Sequence, residues 1–103
     1  MSSAGNKLLL QLAALASPHR LRVIAALQER GRNYVSQLAR ELKISRPLLH
    51  LHLQKLEDAG LIRSELEISE DGKALKYFEV VDFSIALNAT LISKIAKSIT
   101  TSD

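Results

Sequence analysis

Val35-Ser36-Gln37-Leu38-Ala39-Arg40-Glu41-Leu42-Lys43-Ile44-Ser45-Arg46-Pro47, continuing through Leu53-Gln54-Lys55-Leu56-Glu57-Asp58-Ala59-Gly60-Leu61-Ile62, is the stretch that decides the fold. Ser36 and Ser45 are residues whose hydroxyls accept hydrogen bonds from the free amides of a helix's first turn. Between them Leu38, Ala39 and Leu42 recur at helical spacing. A short helix capped by Ser36 is therefore expected to stop near Lys43-Ile44. A second begins around Arg46-Pro47, where proline is tolerated because the first turn has no intrahelical acceptor for its missing N–H. Leu49, Leu53 and Leu56 place the second helix's apolar stripe on one face, and Ala59-Gly60 closes it. Two helices thus meet at a tight turn.

Residues 62–68 and 74–81 read as two strands around Ser69-Glu70-Asp71-Gly72, with glycine supplying the positive φ of a hairpin turn. Tyr34-Val35 favours β structure and is long enough only for a small edge strand on that hairpin. Upstream, Ser17-Pro18 starts a helix that runs to about Arg30, turns Leu21, Ile24, Ala25 and Leu27 inward, and ends at Gly31. Residues 7–16 form an earlier helix whose leucines Leu8, Leu9, Leu10, Leu12 and Leu15 cover more of its circumference than a surface helix requires. A final helix over residues 83–99 carries Ile85, Ala89, Ile92, Ile95, Ala96 and Ile99 on a broad stripe. Residues 1–6 are expected to be disordered and 100–103 to fray.

A chain of 103 residues with 47% hydrophobic content suits one compact domain, here residues 7–99. Only 4% of residues are aromatic, so a core of Leu, Ile, Val and Ala favours helix-on-helix packing with a little sheet. The absence of cysteine removes disulfides and thiolate chemistry and fits a cytoplasmic location. The apolar run from Leu8 to Ala16 is far shorter than the roughly 20 residues that span a bilayer, and no membrane partner is expected. The net charge of +3 is modest, but it is unevenly spread. Between Arg20 and Arg63 basic residues dominate, whereas Glu65, Glu67, Glu70, Asp71, Glu79 and Asp82 make the later part acidic.

The order helix, helix, short strand, helix, turn, helix, hairpin, helix is that of a mainly α (α+β) winged helix-turn-helix with added terminal helices. The stretch quoted above resembles the core of the ArsR-type transcriptional regulators: Ser45 and Pro47 open the recognition helix, His52-Leu53 lies mid-helix, and Leu56, Ala59-Gly60-Leu61 and Ile62 lead into the wing. Leu15-Ala16-Ser17-Pro18-His19-Arg20-Leu21-Arg22-Val23 is similar to that family's entry into its second helix. The resemblance implies a sequence-specific regulator of double-stranded DNA, a repressor by the family's habit, with residues 36–60 as helix-turn-helix and 61–81 as a two- or three-stranded wing. Leu48 and His50 depart from the small polar residues common there, so no base preference carries over.

Burying the leucine stripe leaves Arg46, Leu48, His50, Leu51, Gln54 and Lys55 exposed as DNA contacts, because an α-helix fits the major groove. Arg46 and Gln54 suit guanine and adenine edges, and Leu48 or Leu51 a thymine methyl. Arg40, Lys43 and Arg63 are assigned to phosphates beside that helix, with Arg20, Arg22 and Arg32 as further candidates. In the wing, Lys73 and Lys76 are the useful cations, since the acids there would repel phosphate; a Glu67–Lys76 cross-strand ion pair is the competing role. His52 is expected to be partly buried and bonded to backbone.

Leu8, Leu9, Leu12, Ile85, Ile92, Ile95 and Ile99 offer more apolar surface than one small core absorbs, which points to a homodimer joined through helices 7–16 and 83–99. No cofactor, metal site or catalytic group is expected. His50 and His52 point roughly 200° apart on one helix, His19 lies on another element, and the last helix has no histidine. A small-molecule effector has no identifiable ligand residue. The competing function is a winged-helix protein-interaction module that does not touch DNA.

Overall fold

The computed structural model describes residues 3–100. Its elements are α1 (Ala4–Leu15), α2 (Pro18–Arg30), β1 (Asn33–Tyr34), α3 (Val35–Leu42), α4 (Arg46–Asp58), β2 (Ile62–Ile68), β3 (Ala74–Val80) and α5 (Ala89–Ile95), which passes into a 3-10 turn at Ala96–Ser98. The strands form one antiparallel sheet in the order β1-β3-β2. This is the winged helix-turn-helix arrangement with a three-stranded wing.

Serine caps set the registers of α1, α2 and α4. Ser3, Ser17 and Ser45 accept hydrogen bonds from the amides of Asn6, Arg20 and Leu48. The core is aliphatic except for Phe78: Val23, Leu27, Leu38, Leu49, Leu53, Leu56, Leu61 and Ile62 are all buried. Lys43 bends the chain between α3 and α4 in the left-handed conformation at φ 57°, which costs a non-glycine residue about 1–2 kcal/mol. Buried Asn33 ties this corner to its neighbours. It donates to Glu41 at 3.2 Å, and Glu41 also pairs with Arg30 at 3.1 Å, so the end of α2, β1 and α3 share one polar knot.

Several boundaries differ from expectation. Ser3 caps α1, which begins at Ala4, so the disorder expected for residues 1–6 does not apply to residues 3–6, and Thr100, expected to fray, is bonded to Asn6; the expectations for residues 1–2 and 101–103 lie outside the described residues. Tyr34, not Ser36, occupies the cap position of α3 and makes no side-chain cap bond; Ser36 sits inside the first turn. In α2 the inward pair is Val23 and Leu27, while Leu21 is 52% exposed and Ala25 is exposed. Two apolar rows overlap on that helix, and its packing against α4 and β3 selects the one through Val23.

The expected helix over residues 83–99 is the largest correction. Residues 81–88 have no regular structure and α5 starts only at Ala89, because Asn88 turns its side chain back to accept from the Leu91 amide at 2.8 Å. Asparagine competes with the helix backbone in this way and favours caps over interiors. The chain end then returns to α1: the Gly5 amide donates to Ser98 Oγ at 2.8 Å and Asn6 exchanges two bonds with Thr100.

Candidate nucleic-acid interface

The candidate interface is built on α4. With Leu49, Leu53 and Leu56 fully buried, helical geometry turns Pro47, Leu51 and Gln54 directly outward, flanked by Leu48 and Lys55 on one side and His50 on the other. Leu51 is 57% exposed and Leu48 40%. Such exposure of two leucines on one short helix is unusual for a face meant only for water, and suits contact with thymine methyl groups. The Gln54 amide lies along the helix, donating to Asp58 at 2.8 Å.

Other candidates divide by location. Arg46 and His50 turn toward the wing and, with Lys76, line one open cavity of about 210 Å³. Lys55 lies on the opposite flank, bordering a cleft with Leu10, Ala13 and Arg20, away from the wing. Arg40 and Lys43 are exposed on the last turn of α3 and the bend after it. Lys73 is exposed in the hairpin tip. Arg63 pairs across the strands with Glu79 at 2.6 Å.

Strand register sorts the wing's charges. Cross-strand partners share a face, so Arg63 with Glu79, Glu65 with Tyr77, and Glu67 with Leu75 occupy one side, while Ile62 with Val80, Ser64 with Phe78, Leu66 with Lys76, and Ile68 with Ala74 occupy the other. The second side faces α4, since Ile62 and Phe78 enter the core and Ser64 donates to Glu57 at 2.6 Å. Glu65 and Glu67 therefore point away from the recognition helix. The competing Glu67–Lys76 pair does not form, because the two residues lie on opposite faces. Glu67 instead takes a two-pronged contact from Arg32, at 2.6 and 2.8 Å, which holds its carboxyl below the ordinary range, and the Arg32 guanidinium lies 4.4 Å from the Tyr77 ring centre.

Arg20 is likewise occupied structurally. Its guanidinium donates to the carbonyls of Ala13 and Ala14 at the end of α1 and, at 3.2 Å, to Nδ1 of His52. A guanidinium only donates, so Nδ1 must accept and the imidazole proton sits on Nε2. This replaces the expected backbone bond of His52. His19, which the sequence leaves on a separate element, stacks against His52 with ring centres 5.2 Å apart. Burial first, then the charge of Arg20, with smaller contributions from His19 and Lys55, pushes the His52 pKa down. No group of three or more metal-ligating side chains occurs among the described residues, and no helix there is long and apolar enough to cross a membrane.

Comparison with known proteins agrees with this geometry. Residues 15–65 match the model of a helix-turn-helix domain family. Over 82 residues, 80% of this chain and 84% of the relative, the sequence is 34% identical to an uncharacterised HTH-type transcriptional regulator of Methanocaldococcus jannaschii. A crystal structure of an ArsR family transcriptional regulator superposes with a TM-score of 0.63 at 30% identity, covering 79% of this chain and 77% of that one. The chain belongs to the ArsR-type winged helix-turn-helix transcriptional regulators. HlyU from Vibrio cholerae, at 21% identity, shares the fold over 94% of this chain and 92% of its own with a TM-score of 0.64.

Membership makes the protein a DNA-binding regulator of transcription. Within this ArsR-type regulator, the leucine stripe reads directly from sequence, whereas the Arg20–His52–His19 cluster and the exposed Leu66 and Ile68 do not. Alternation along β2 was the one available signal for the latter: Ile62, Ser64, Leu66 and Ile68 share a face that outruns the core.

Proposed function

We propose that two copies of this regulator bind a double-stranded operator and repress transcription there, each inserting α4 into a major groove. The observation that carries this reading is the split of α4 into a fully buried Leu49/Leu53/Leu56 stripe and an exposed face of Leu48, Leu51 and Gln54 beside free cations. Arg40 and Lys43 contact phosphates from the bend before α4. Lys73 and Lys76 do so from the wing, whose strand acids Glu65 and Glu67 face away. Lys55 and Arg63, each turned from the groove, contribute less. The role is regulatory rather than catalytic and is exercised in the cytoplasm.

Pairing follows from apolar surface that one subunit leaves open. Leu9 is 53% exposed and Ile92 is 47% exposed, with Leu8, Leu12, Ile85, Ile95 and Ile99 half-buried around them. A twofold interface through α1 and α5 would cover them and set two recognition helices about 34 Å apart.

Leu66 and Ile68, 65% and 75% exposed on the wing, favour a second reading in which the wing docks a protein. Salt dependence separates the two. Binding of a selected duplex followed by fluorescence anisotropy should weaken with a log–log slope of roughly −0.9 per phosphate contacted. A flat salt response, or no duplex bound at all, would favour the protein partner.

A further inference from the structure

The cavity between α4 and the wing has a composition of its own. It lies where β3 runs on past the end of β1: β1 covers β3 only at Tyr77 and Phe78, and residues 74–76 continue beyond it. The end of β1 at Tyr34 and the first turn of α3, with Ser36, form one wall. Arg46 and His50, one helical turn apart on α4, form another, and Lys76 closes the third side. No carboxylate lines it. Among the described residues, the salt bridges use Arg30, Arg32 and Arg63, and neither Arg46 nor Lys76 has an acidic partner. Lys76 is held inward: its ammonium lies 5.5 Å from the ring centre of Phe78, which anchors it to the core side of the wing.

From this arrangement we infer that Arg46, His50 and Lys76, with Ser36 at the rim, form a seat for a single phosphate group. Two cations and an imidazole from α4 and β3 converge on one open, acid-free space. A fork-shaped guanidinium and a point-charge ammonium are the usual pair for a tetrahedral oxyanion. The inference rests on the DNA-binding reading for its natural ligand, a backbone phosphate, and it alters that reading in one respect. Arg46 becomes a positioning contact, so base discrimination falls to Leu48, Leu51 and Gln54. It also links helix and wing to one point on the duplex, which fixes the angle at which α4 enters the groove.

The test uses the full chain and a duplex recovered by selection from a random pool. Arg46→Ala and Lys76→Ala should each weaken binding by roughly tenfold across sequences and each lower the salt slope by about one contact per subunit, while repeated selection returns the same motif. Replacing phosphates one at a time by neutral methylphosphonates should reveal one position whose loss costs nothing further in either variant. A changed base preference for Arg46→Ala, or the absence of any position coupled to both residues, would overturn the assignment. A separate arm titrates inorganic phosphate into the DNA-free protein at constant ionic strength and follows amide resonances of residues 34–36 and 74–76. Saturable shifts there would extend the seat to free oxyanions, and silence alongside retained coupling would restrict it to the duplex. If the pool yields no duplex, the DNA reading itself fails, and the phosphate titration then decides the seat alone, silence rejecting it.

Discussion

At the scale of single residues, Arg20 and His52 show how a basic residue can be mistaken for a ligand contact. Arg20 sits in a run of cations that suggests phosphate, yet its donors go to the last carbonyls of α1 and to the His52 ring. Sequence spacing could not reveal this, because the partners lie on α1 and α4 and meet only in the fold. The geometry has a consequence for pH. Since folding lowers the His52 pKa from its ordinary 6.5, the unfolded chain binds more protons near that value, and this part of the stability is present above about pH 6.5 and lost as pH falls through the folded value. The melting temperature should therefore decline as pH falls from about 7.5 toward 5, before carboxylates titrate at about 4. His52→Gln, which still offers Arg20 an acceptor, should flatten that decline; an unchanged profile in the variant would mean His52 is not the group responsible. Leu49, Leu53 and Leu56, by contrast, were legible as they stand, since a leucine row at helical spacing between a serine cap and a glycine stop has few other readings.

Among the elements, α2, α4 and the hairpin were legible because caps, prolines and turn glycines mark their ends locally. The C-terminal segment was not. Its apolar stripe runs through Asn88 without interruption, and only the cap bond to Leu91 shows that the helix begins there. What holds this end in place is also invisible to periodicity: Gly5 lets α1 approach the final turn so closely that a Cβ there would lie 2.5 Å from the Ile95 carbonyl oxygen and 2.6 Å from Ile99. Replacing glycine by alanine inside a helix ordinarily gains about 1 kcal/mol. Here the obstructing atom is backbone, which cannot rotate away, and overpacking of this kind costs typically 1–3 kcal/mol. Gly5→Ala should therefore lower stability by up to about 2 kcal/mol in urea titration. A rise in the midpoint would show that the contact between α1 and the last turn yields readily.

For the whole molecule, shape and surface point the same way. The radius of gyration is 15.9 Å and the extents are 52 × 27 × 26 Å, whereas a compact chain of about 100 residues has a radius near 13 Å. An elongated subunit with Leu9, Leu10 and Ile92 exposed is incompletely covered by itself. Ile92→Asp, at an already exposed position, should leave the fold intact, halve the mass seen in sedimentation and weaken DNA binding at least tenfold through lost pairing. A wild-type chain that sediments as a monomer would remove the twofold model. The account as a whole depends on the outer face of α4 reading bases, and selection from a random duplex pool with the wild type, Leu51→Ala and Gln54→Ala tests it most directly. The predicted result is a twofold-symmetric motif with half-sites about one or more 10–10.5 base-pair turns apart, altered in each variant at a symmetric pair of positions. An identical motif from all three proteins would contradict it.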